Sequence, residues 1–264
     1  MTTMPRQSTL SVVLIVKNEA ENLRLCLESV RSLADEIIVV DSGSSDQTEQ
    51  VARQFTSQFI VHDDWPGFGR QRQIAQSYAS CDYILWLDAD ERISPELHAS
   101  LESVLAQPVD THALYQISRL SWVFGRFIRH CGWYPDRVAR LYARQLTTYN
   151  DALVHEKVII PPKAKIQTLE GDLLHYTYRD LEHYLVKSAG YAAAWATQRQ
   201  KIGKKSSISS GILHAIGCFL KMYIVKAGFL DGKQGFLLSV LSAHSTFVKY
   251  ADLWIKNLDH STKN

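Results

Sequence analysis

Four short apolar stretches in the first hundred residues, separated by stretches with helical periodicity, constrain this chain more than any other feature. Leu10–Val16 is a continuous β-branched run, as expected of a strand covered on both faces. Leu23, Cys26, Leu27 and Val30 then recur at i, i+3, i+4 and i+7, which predicts a helix with one buried stripe. Ile37–Val40 reads as a second buried strand, ending at Asp41-Ser42-Gly43, and Val51, Ala52 and Phe55 mark a short helix behind it. Phe59–His62 is a weaker strand. A loop with Trp65, Pro66, Gly67 and Gly69 leads into a helix carrying Ile74, Ala75 and Tyr78. Tyr83–Leu87 is a fourth strand and runs directly into Asp88-Ala89-Asp90. Such alternation predicts an α/β fold, a Rossmann-like, mainly parallel sheet flanked by helices with right-handed crossovers. Ligands of such sheets sit outside the carboxyl ends of the strands. The polar clusters Lys17-Asn18-Glu19, Asp41-Ser42-Gly43 and Asp88-Ala89-Asp90 fall at those ends, so a site is expected there.

Beyond residue 110 the pattern changes. Ala113–Ile117 and Val158–Ile160 are short extended pieces among many Trp, Tyr and Arg residues. From Asp180 the chain reads as helix, with Leu181, Tyr184, Leu185, Ser188, Ala192 and Trp195 on one side. An apolar tail with interspersed lysines follows Lys204-Lys205-Ser206-Ser207. The formal charge of +2, from 29 basic and 27 acidic residues, is too even for a nucleic-acid footprint. Cys26, Cys81, Cys131 and Cys218 form no C-x-x-C pair and suit a reducing compartment. The N-terminus lacks the apolar core of a signal peptide, and Ile208–Leu230 is interrupted by His214, Lys221 and Lys226. A cytoplasmic protein without a spanning helix is expected.

Asp88-x-Asp90 places two carboxylates on one side of a strand end, a hard oxygen set suited to Mg²⁺ or Mn²⁺. A cation there would neutralise a departing nucleoside diphosphate. The plainer alternative is a solvated turn whose acids cap the helix at Ser94-Pro95-Glu96. Asp41 is placed to meet a ribose or base edge, or to close an Asx turn before the next helix. Gly67-Phe68-Gly69-Arg70-Gln71-Arg72 precedes a helix whose first N–H groups, with Arg70 or Arg72, can meet phosphate. It matches neither G-x-G-x-x-G nor a P-loop. Trp122, Trp133, Tyr134, Arg126, Arg129, Arg137 and Arg140 combine rings that pack on sugar faces with guanidiniums that grip anions, an acceptor-binding mixture.

The series VVLIVKNEAENL, IIVVDSGSSDQT, the glycine loop and WLDADE resembles the family 2 inverting glycosyltransferases of the GT-A fold. GWYPDRVARLYAR, LVHEKV and LLHYTYRDLEHYLVKSAGYA extend the likeness toward a branch with bacterial lipopolysaccharide inner-core heptose β-1,4-glucosyltransferases. The resemblance implies that Lys17, Asn18, Glu19, Asp41, Gly69, Arg70 and Asp88 bind a nucleotide-sugar donor, with Asp41 on the nucleoside of a UDP-sugar. It implies that Asp90 binds the metal, joined by a late histidine, His175 first and His155 second. The family's Glu-Asp pair after D-x-D is missing, which leaves Glu156 and Asp136 as candidates for the base, Glu156 preferred. A sugar hydroxyl needs such a base to attack.

These expectations amount to a GT-A catalytic domain over 8–200 and a helical tail over 201–264. The activity expected is metal-dependent transfer of glucose from UDP-glucose to a heptose of the lipopolysaccharide core. The rivals are transfer of another hexose to another lipid-linked glycan, and a non-catalytic carbohydrate-binding membrane protein. A nucleotidyltransferase is disfavoured because Lys17-Asn18-Glu19 stands where its glycine-rich loop would be. Ile212, Leu213, Ile216, Phe219, Leu220, Tyr223 and Ile224 recur at helical spacing beside Lys204, Lys205, Lys221 and Lys226. That stripe predicts peripheral binding to the anionic inner face of the cell membrane. An ordinary domain helix or a dimer interface has the same periodicity.

Overall fold

The computed structural model describes residues 5–153 and 156–261, which divide into two compact units. The first unit comprises Met1–Arg119 and Asp136–His175. Its elements are β1 (Leu10–Val16), α1 (Ala20–Val30), β2 (Glu36–Asp41), α2 (Thr48–Ala52), β3 (Gln58–Val61), α3 (Phe68–Ser77) and β4 (Tyr83–Trp86). There follow β5 (Glu91–Ile93), α4 (Pro95–Leu105), most of β6 (Ala113–Val123), β8 (Asp136–Ala143) and most of β9 (Lys165–Tyr178). The strand order is β3-β2-β1-β4-β8-β6-β9-β5, with β7 (Arg126–Phe127) paired to β6.

β1 is apolar apart from Ser11 because both of its faces are covered. Leu10, Val12, Leu14 and Val16 join the core formed with Leu23, Leu27 and Leu101. Val13 points the other way, into a second core with Ala75, Trp86 and Tyr142. Each such aliphatic side chain contributes about 1.5–3 kcal/mol by leaving water. β1 pairs in parallel with β2 and β4, as β2 does with β3. The sheet is mixed beyond that point: β8 is antiparallel to β4 and to β6, and β5 to β9. The parallel half is the half with strand–helix alternation in the sequence. Of the expected strand Val158–Ile160, an isolated bridge between Tyr149 and Val158 is present. The 14-residue β9 was not anticipated.

Register fixes where the polar strand ends lie. Asp41 is level with Val16, so Lys17–Glu19 emerge beside it. Trp86 is level with Val13, which puts Asp88 at the same edge. Asp41 and Asp88 are two strand spacings apart, about 10 Å, a span suited to a nucleoside.

The second unit comprises Leu120–Pro135 and Tyr176–Asn264. It holds the β6–β7 hairpin, α5 (Leu181–Lys201), α6 (Ile208–Leu220), a π-helical turn Lys221–Val225, a 3₁₀ turn Gly228–Asp231 and α7 (Gly232–Ser261). Asp180 caps α5 by accepting from the His183 N–H at 2.7 Å, and Ser207 caps α6. Val123, Ile128, Cys131, Tyr184, Met222 and Leu238 form its core. α5 lies in the same unit as α6 and α7. Gln200 Nε2 donates to the Lys256 carbonyl at 2.8 Å, and Trp195 meets Tyr250 with ring centroids 5.1 Å apart. The buried face of α5 is narrower than expected, with Tyr184, Ala192 and Ala196 inside while Leu181 and Leu185 stay exposed. The sequence reading found no span-length segment, yet Ile208–Val225 is, by length and composition, long and apolar enough to cross a membrane, with mean hydropathy 1.6.

Candidate active site

The end of β1 is stapled to the loop after β2. Asn18 adopts the left-handed conformation (φ 55°), which asparagine tolerates. Its N–H donates to Ser44 Oγ, and its Oδ1 accepts from the Ser45 N–H, both at 2.8 Å. Glu19 N–H donates to Thr48 Oγ1 at 2.8 Å. Lys17 is exposed at this edge. Asp41 is 3% exposed, and its carboxylate accepts from the Gly43 and Ser44 N–H groups at 3.0 and 2.8 Å and from the Ser44 hydroxyl. It therefore closes a turn, using three of about four lone-pair sites and leaving room for one further donor.

The helix start at Gly67–Arg70 is not an open phosphate cradle. Phe68 and Gly69 donate their N–H groups to the carbonyls of Leu153 and Ala152, at 3.2 and 3.0 Å. A Cβ on Gly69 would stand 2.0 Å from the Asn150 carbonyl oxygen, so this glycine admits the 150–153 segment rather than a ligand. Arg70 is exposed and donates to Gln73 Oε1 at 2.7 Å.

One turn further, Arg72 begins a row of alternating charges. Its Nε donates to Glu156 Oε1 at 2.9 Å and its Nη2 to Asp88 Oδ1 at 2.6 Å. Arg140 Nη2 donates to both Asp88 Oδ2 and Glu91 Oε1, each at 2.6 Å. Arg119 Nη1 lies 3.9 Å from Glu91 Oε1, and its Nη2 is 2.5 Å from Asp136 Oδ2. The row thus runs Glu156, Arg72, Asp88, Arg140, Glu91, Arg119, Asp136, four carboxylates alternating with three guanidiniums. The Glu91, Arg72 and Arg140 side chains are 0%, 5% and 6% exposed, whereas Asp88 between the two arginines is 31% and Asp136 at the end 45% exposed. The Arg72 guanidinium also lies over Trp86 and Tyr149, 5.2 and 4.9 Å from the ring centroids.

This arrangement splits the carboxyls apart. Burial would raise Asp88, but Arg140 and Arg72 more than reverse it and hold it well below the ordinary range. Burial raises Glu91, Arg140 opposes that, and the Asp88 charge adds to it, so Glu91 lies above its ordinary value. Burial disfavours the Arg140 charge, yet Asp88 and Glu91 outweigh it and keep the guanidinium protonated.

Arg140 was expected on an acceptor surface; it is buried between two carboxylates. Asp136, a candidate base, pairs with Arg119. Arg137 is exposed on β8 in the first unit. Trp133 and Tyr134 belong to the second unit, where Trp133 packs toward Tyr178 and Tyr134 lies under Arg129. Glu91 and Arg119, both in the row, were not singled out in the sequence. Glu91 reads as one more acid after Asp90, and Arg119 as a solvated strand residue.

The β5–β9 pairing sets Glu91 opposite His175 and brings Asp90 Oδ2 within 3.3 Å of His175 Nε2. Adjacent ligands on a small octahedral cation with bonds of about 2.1 Å stand about 3 Å apart, so the two groups fit one divalent ion. Among the described residues no cluster of three or more His, Cys, Asp or Glu could hold a metal. A two-ligand site matches Mg²⁺-type chemistry, in which water and substrate phosphates complete the shell. Asp88 is committed to two arginines and is not a third ligand. His155 lies outside the described residues.

With the site in view, the chain's kinship can be stated. Residues 11–158, over half its length, match the model of the family described as glycosyl transferase family 2, and the chain belongs to that family. It is an enzyme of this glycosyltransferase class, and its mixed α/β sheet with flanking helices and long C-terminal helix is consistent with the GT-A fold. It is 30% identical over 252 residues to an uncharacterized glycosyltransferase of Rickettsia prowazekii, spanning 92% of this chain and 86% of that protein. It is 27% identical to the lipopolysaccharide core biosynthesis glycosyltransferase LpsC of Rhizobium meliloti, spanning 93% and 92% of the two chains. Among solved structures it is similar to glucosyl-3-phosphoglycerate synthase from Mycobacterium tuberculosis in complex with Mn²⁺, UDP and glucosyl-3-phosphoglycerate. That match has 26% identity, 44% of each chain and a TM-score of 0.35.

Proposed function

We propose that this enzyme transfers glucose from UDP-glucose to a heptose of the lipopolysaccharide inner core, with inversion and with a bound Mg²⁺ or Mn²⁺. The observation that carries the donor half is the Asp90–His175 pair beside the charge row. Kinship with LpsC along nearly the full chain supports the acceptor half. Asp41, with one lone pair unspent, receives the nucleoside, while Asp88, fixed by Arg72 and Arg140, faces the ribose and sugar. Arg72 Nη1 is buried without a partner among the described residues, so a diphosphate oxygen would satisfy it. Asp90 and His175 would hold the cation, which supplies charge neutralisation to the leaving diphosphate.

Glu156 is the base in this scheme. One guanidinium, Arg72, separates it from Asp88, whereas three groups, Arg140, Glu91 and Arg119, separate Asp136 from Asp88 along the row. Glu156 Oε1 is held by Arg72, and Oε2 has no partner among the described residues. The acceptor hydroxyl gives its proton to Glu156 while its oxygen attacks the anomeric carbon. The bond from that carbon to the diphosphate breaks on the opposite face, and UDP leaves with the electron pair.

The test combines two readouts. Purified enzyme is offered UDP-glucose and core lipopolysaccharide, with and without EDTA, and the core from a deletion strain is weighed by mass spectrometry. Transfer that is lost in EDTA and restored by Mg²⁺ or Mn²⁺, together with a core lacking one hexose on heptose, is expected. Full activity in EDTA removes the metal from the scheme. An unchanged core removes the acceptor.

A further inference from the structure

We infer that the second unit docks on an anionic lipid surface through the outer face of α6, the π-helical turn and the start of α7, without crossing the bilayer. The inference does not depend on the donor, the acceptor or the base.

Two independent observations carry it. The first is an apolar face that no described residue of the unit covers. The inner side of α6 packs on α7: Gly211 lies against Phe247 and Tyr250, His214 stacks on Tyr250 at 4.2 Å, and Met222 is buried. The outer side is also apolar. Ile212, Ile216, Leu220 and Ile224 follow one another at four-residue steps and are all exposed, Leu213 and Val225 to 70% and 74%. Phe229, Leu230 and Phe236 continue the exposed surface onto the start of α7. Only 6% of the Ile208–Val225 window is buried. Contiguous apolar surface on this scale marks a binding face.

The second observation is charge. Between Glu182 and Asp252 the chain has nine Lys and Arg residues and one acid, Asp231. That acid is internal: its side chain is 2% exposed, and it accepts from the His130 N–H at 2.7 Å and contacts His130 Nδ1 at 3.0 Å. No carboxylate in this stretch therefore faces water, whereas Lys204, Lys205, Lys221, Lys226 and Lys233 are all exposed. The chain's net +2 conceals +8 over residues 183–251 and −6 elsewhere. An apolar face rimmed by lysines and free of exposed acids is complementary to anionic headgroups over acyl chains.

The same charges argue against other occupants. A two-fold interface between copies would set Lys221 and Lys226 near their own mates across a patch with no compensating acid. A spanning helix would carry Lys221 into hydrocarbon and give up the packing of its inner side on α7.

The test is co-sedimentation of the full chain with vesicles of phosphatidylcholine alone or mixed with phosphatidylglycerol, at low and high salt. Binding is expected to the mixed vesicles, weakened by salt and released by alkaline carbonate. Lys221→Gln/Lys226→Gln is expected to lower partitioning roughly 25-fold, about fivefold per lysine. Leu213→Ser/Ile216→Ser, at exposed positions that leave the core intact, is expected to lower it at least about tenfold. Circular dichroism of each variant checks that the fold persists. Three results would each overturn the inference: full-length protein left in the supernatant at low salt; salt-insensitive, carbonate-resistant binding to both vesicle types, which marks a spanning segment; or a dimer in sedimentation velocity that Leu213→Ser/Ile216→Ser converts to monomer, which marks an interface between copies.

Discussion

Replacing Arg140 with methionine tests the charge row at one of its buried links. The substitution keeps much of the side-chain volume and removes the cation whose Nη2 lies 2.6 Å from both Asp88 Oδ2 and Glu91 Oε1. Asp88 retains Arg72. Among the described residues Glu91 then keeps the Asp88 N–H at 2.9 Å, Arg119 at 3.9 Å and the nearby His175, with its side chain 0% exposed. Breaking a buried pair on one side costs about 3–5 kcal/mol, because the survivor is left charged and dry. For a chain of this size each kcal/mol shifts melting by about 2–4 °C, so a fall of roughly 6–20 °C is expected. Glu91→Gln in the same chain removes the stranded charge, and Arg140→Met/Glu91→Gln is expected to regain at least about half of the loss. Urea denaturation and calorimetry on the wild type, both single variants and the double variant complete the cycle. If Arg140→Met costs less than about 1 kcal/mol, or if the two losses simply add, the row is a set of independent surface-like pairs and the reasoning fails.

Glu156→Gln is expected to lower kcat about 10²–10⁴-fold with donor affinity little changed, and Asp136→Asn to have the smaller effect; single-turnover kinetics with a donor titration would reveal the reverse order. Glu36 gives the pH response of the fold. Burial would raise its pKa, but hydrogen bonds from Ser11, Ser80, Gln58 and Cys81 outweigh this and lower it from 4.5 to about 2. Its contribution is therefore complete above pH 4.5 and drains away as pH falls toward 2; Glu36→Gln is expected to cost about 1–3 kcal/mol at neutral pH and to flatten the acid limb of the stability profile. Gly171→Ala places a Cβ 2.2 Å from the Leu97 backbone nitrogen at a φ of +89°, so a loss above about 2 kcal/mol is expected by thermal melting.

The first half of the sheet was legible because its determinants are local. Two-sided burial writes β1, β2 and β4 as mainly apolar runs, and the 3.6-residue period of α1 appears in Leu23, Cys26, Leu27 and Val30, all buried. The polar strand ends were legible for the same reason. β9 was not, since Glu170-Gly171-Asp172 reads as a turn, whereas Gly171 there lets the strand pass against the backbone of α4. The contact of Asp90 with His175 depends on the pairing of β5 with β9, and no local spacing encodes it. The charge row lay beyond local reading altogether: Arg72 and Glu156 are 84 residues apart, and Arg140 and Glu91 are 49 apart. A buried arginine and an exposed one have the same letter, and Arg140 was misplaced on that account.

The seven-residue row also limits how this protein can drift. A neutral or reversed residue at Arg72, Arg140 or Glu91 strands a neighbour in a poorly hydrated place, so single steps at these positions are barred while matched pairs are open. Descendants of this chain are therefore expected to change there in couples, Arg140 with Glu91. Asp136, at the wet end of the row, is the position with most freedom to vary alone.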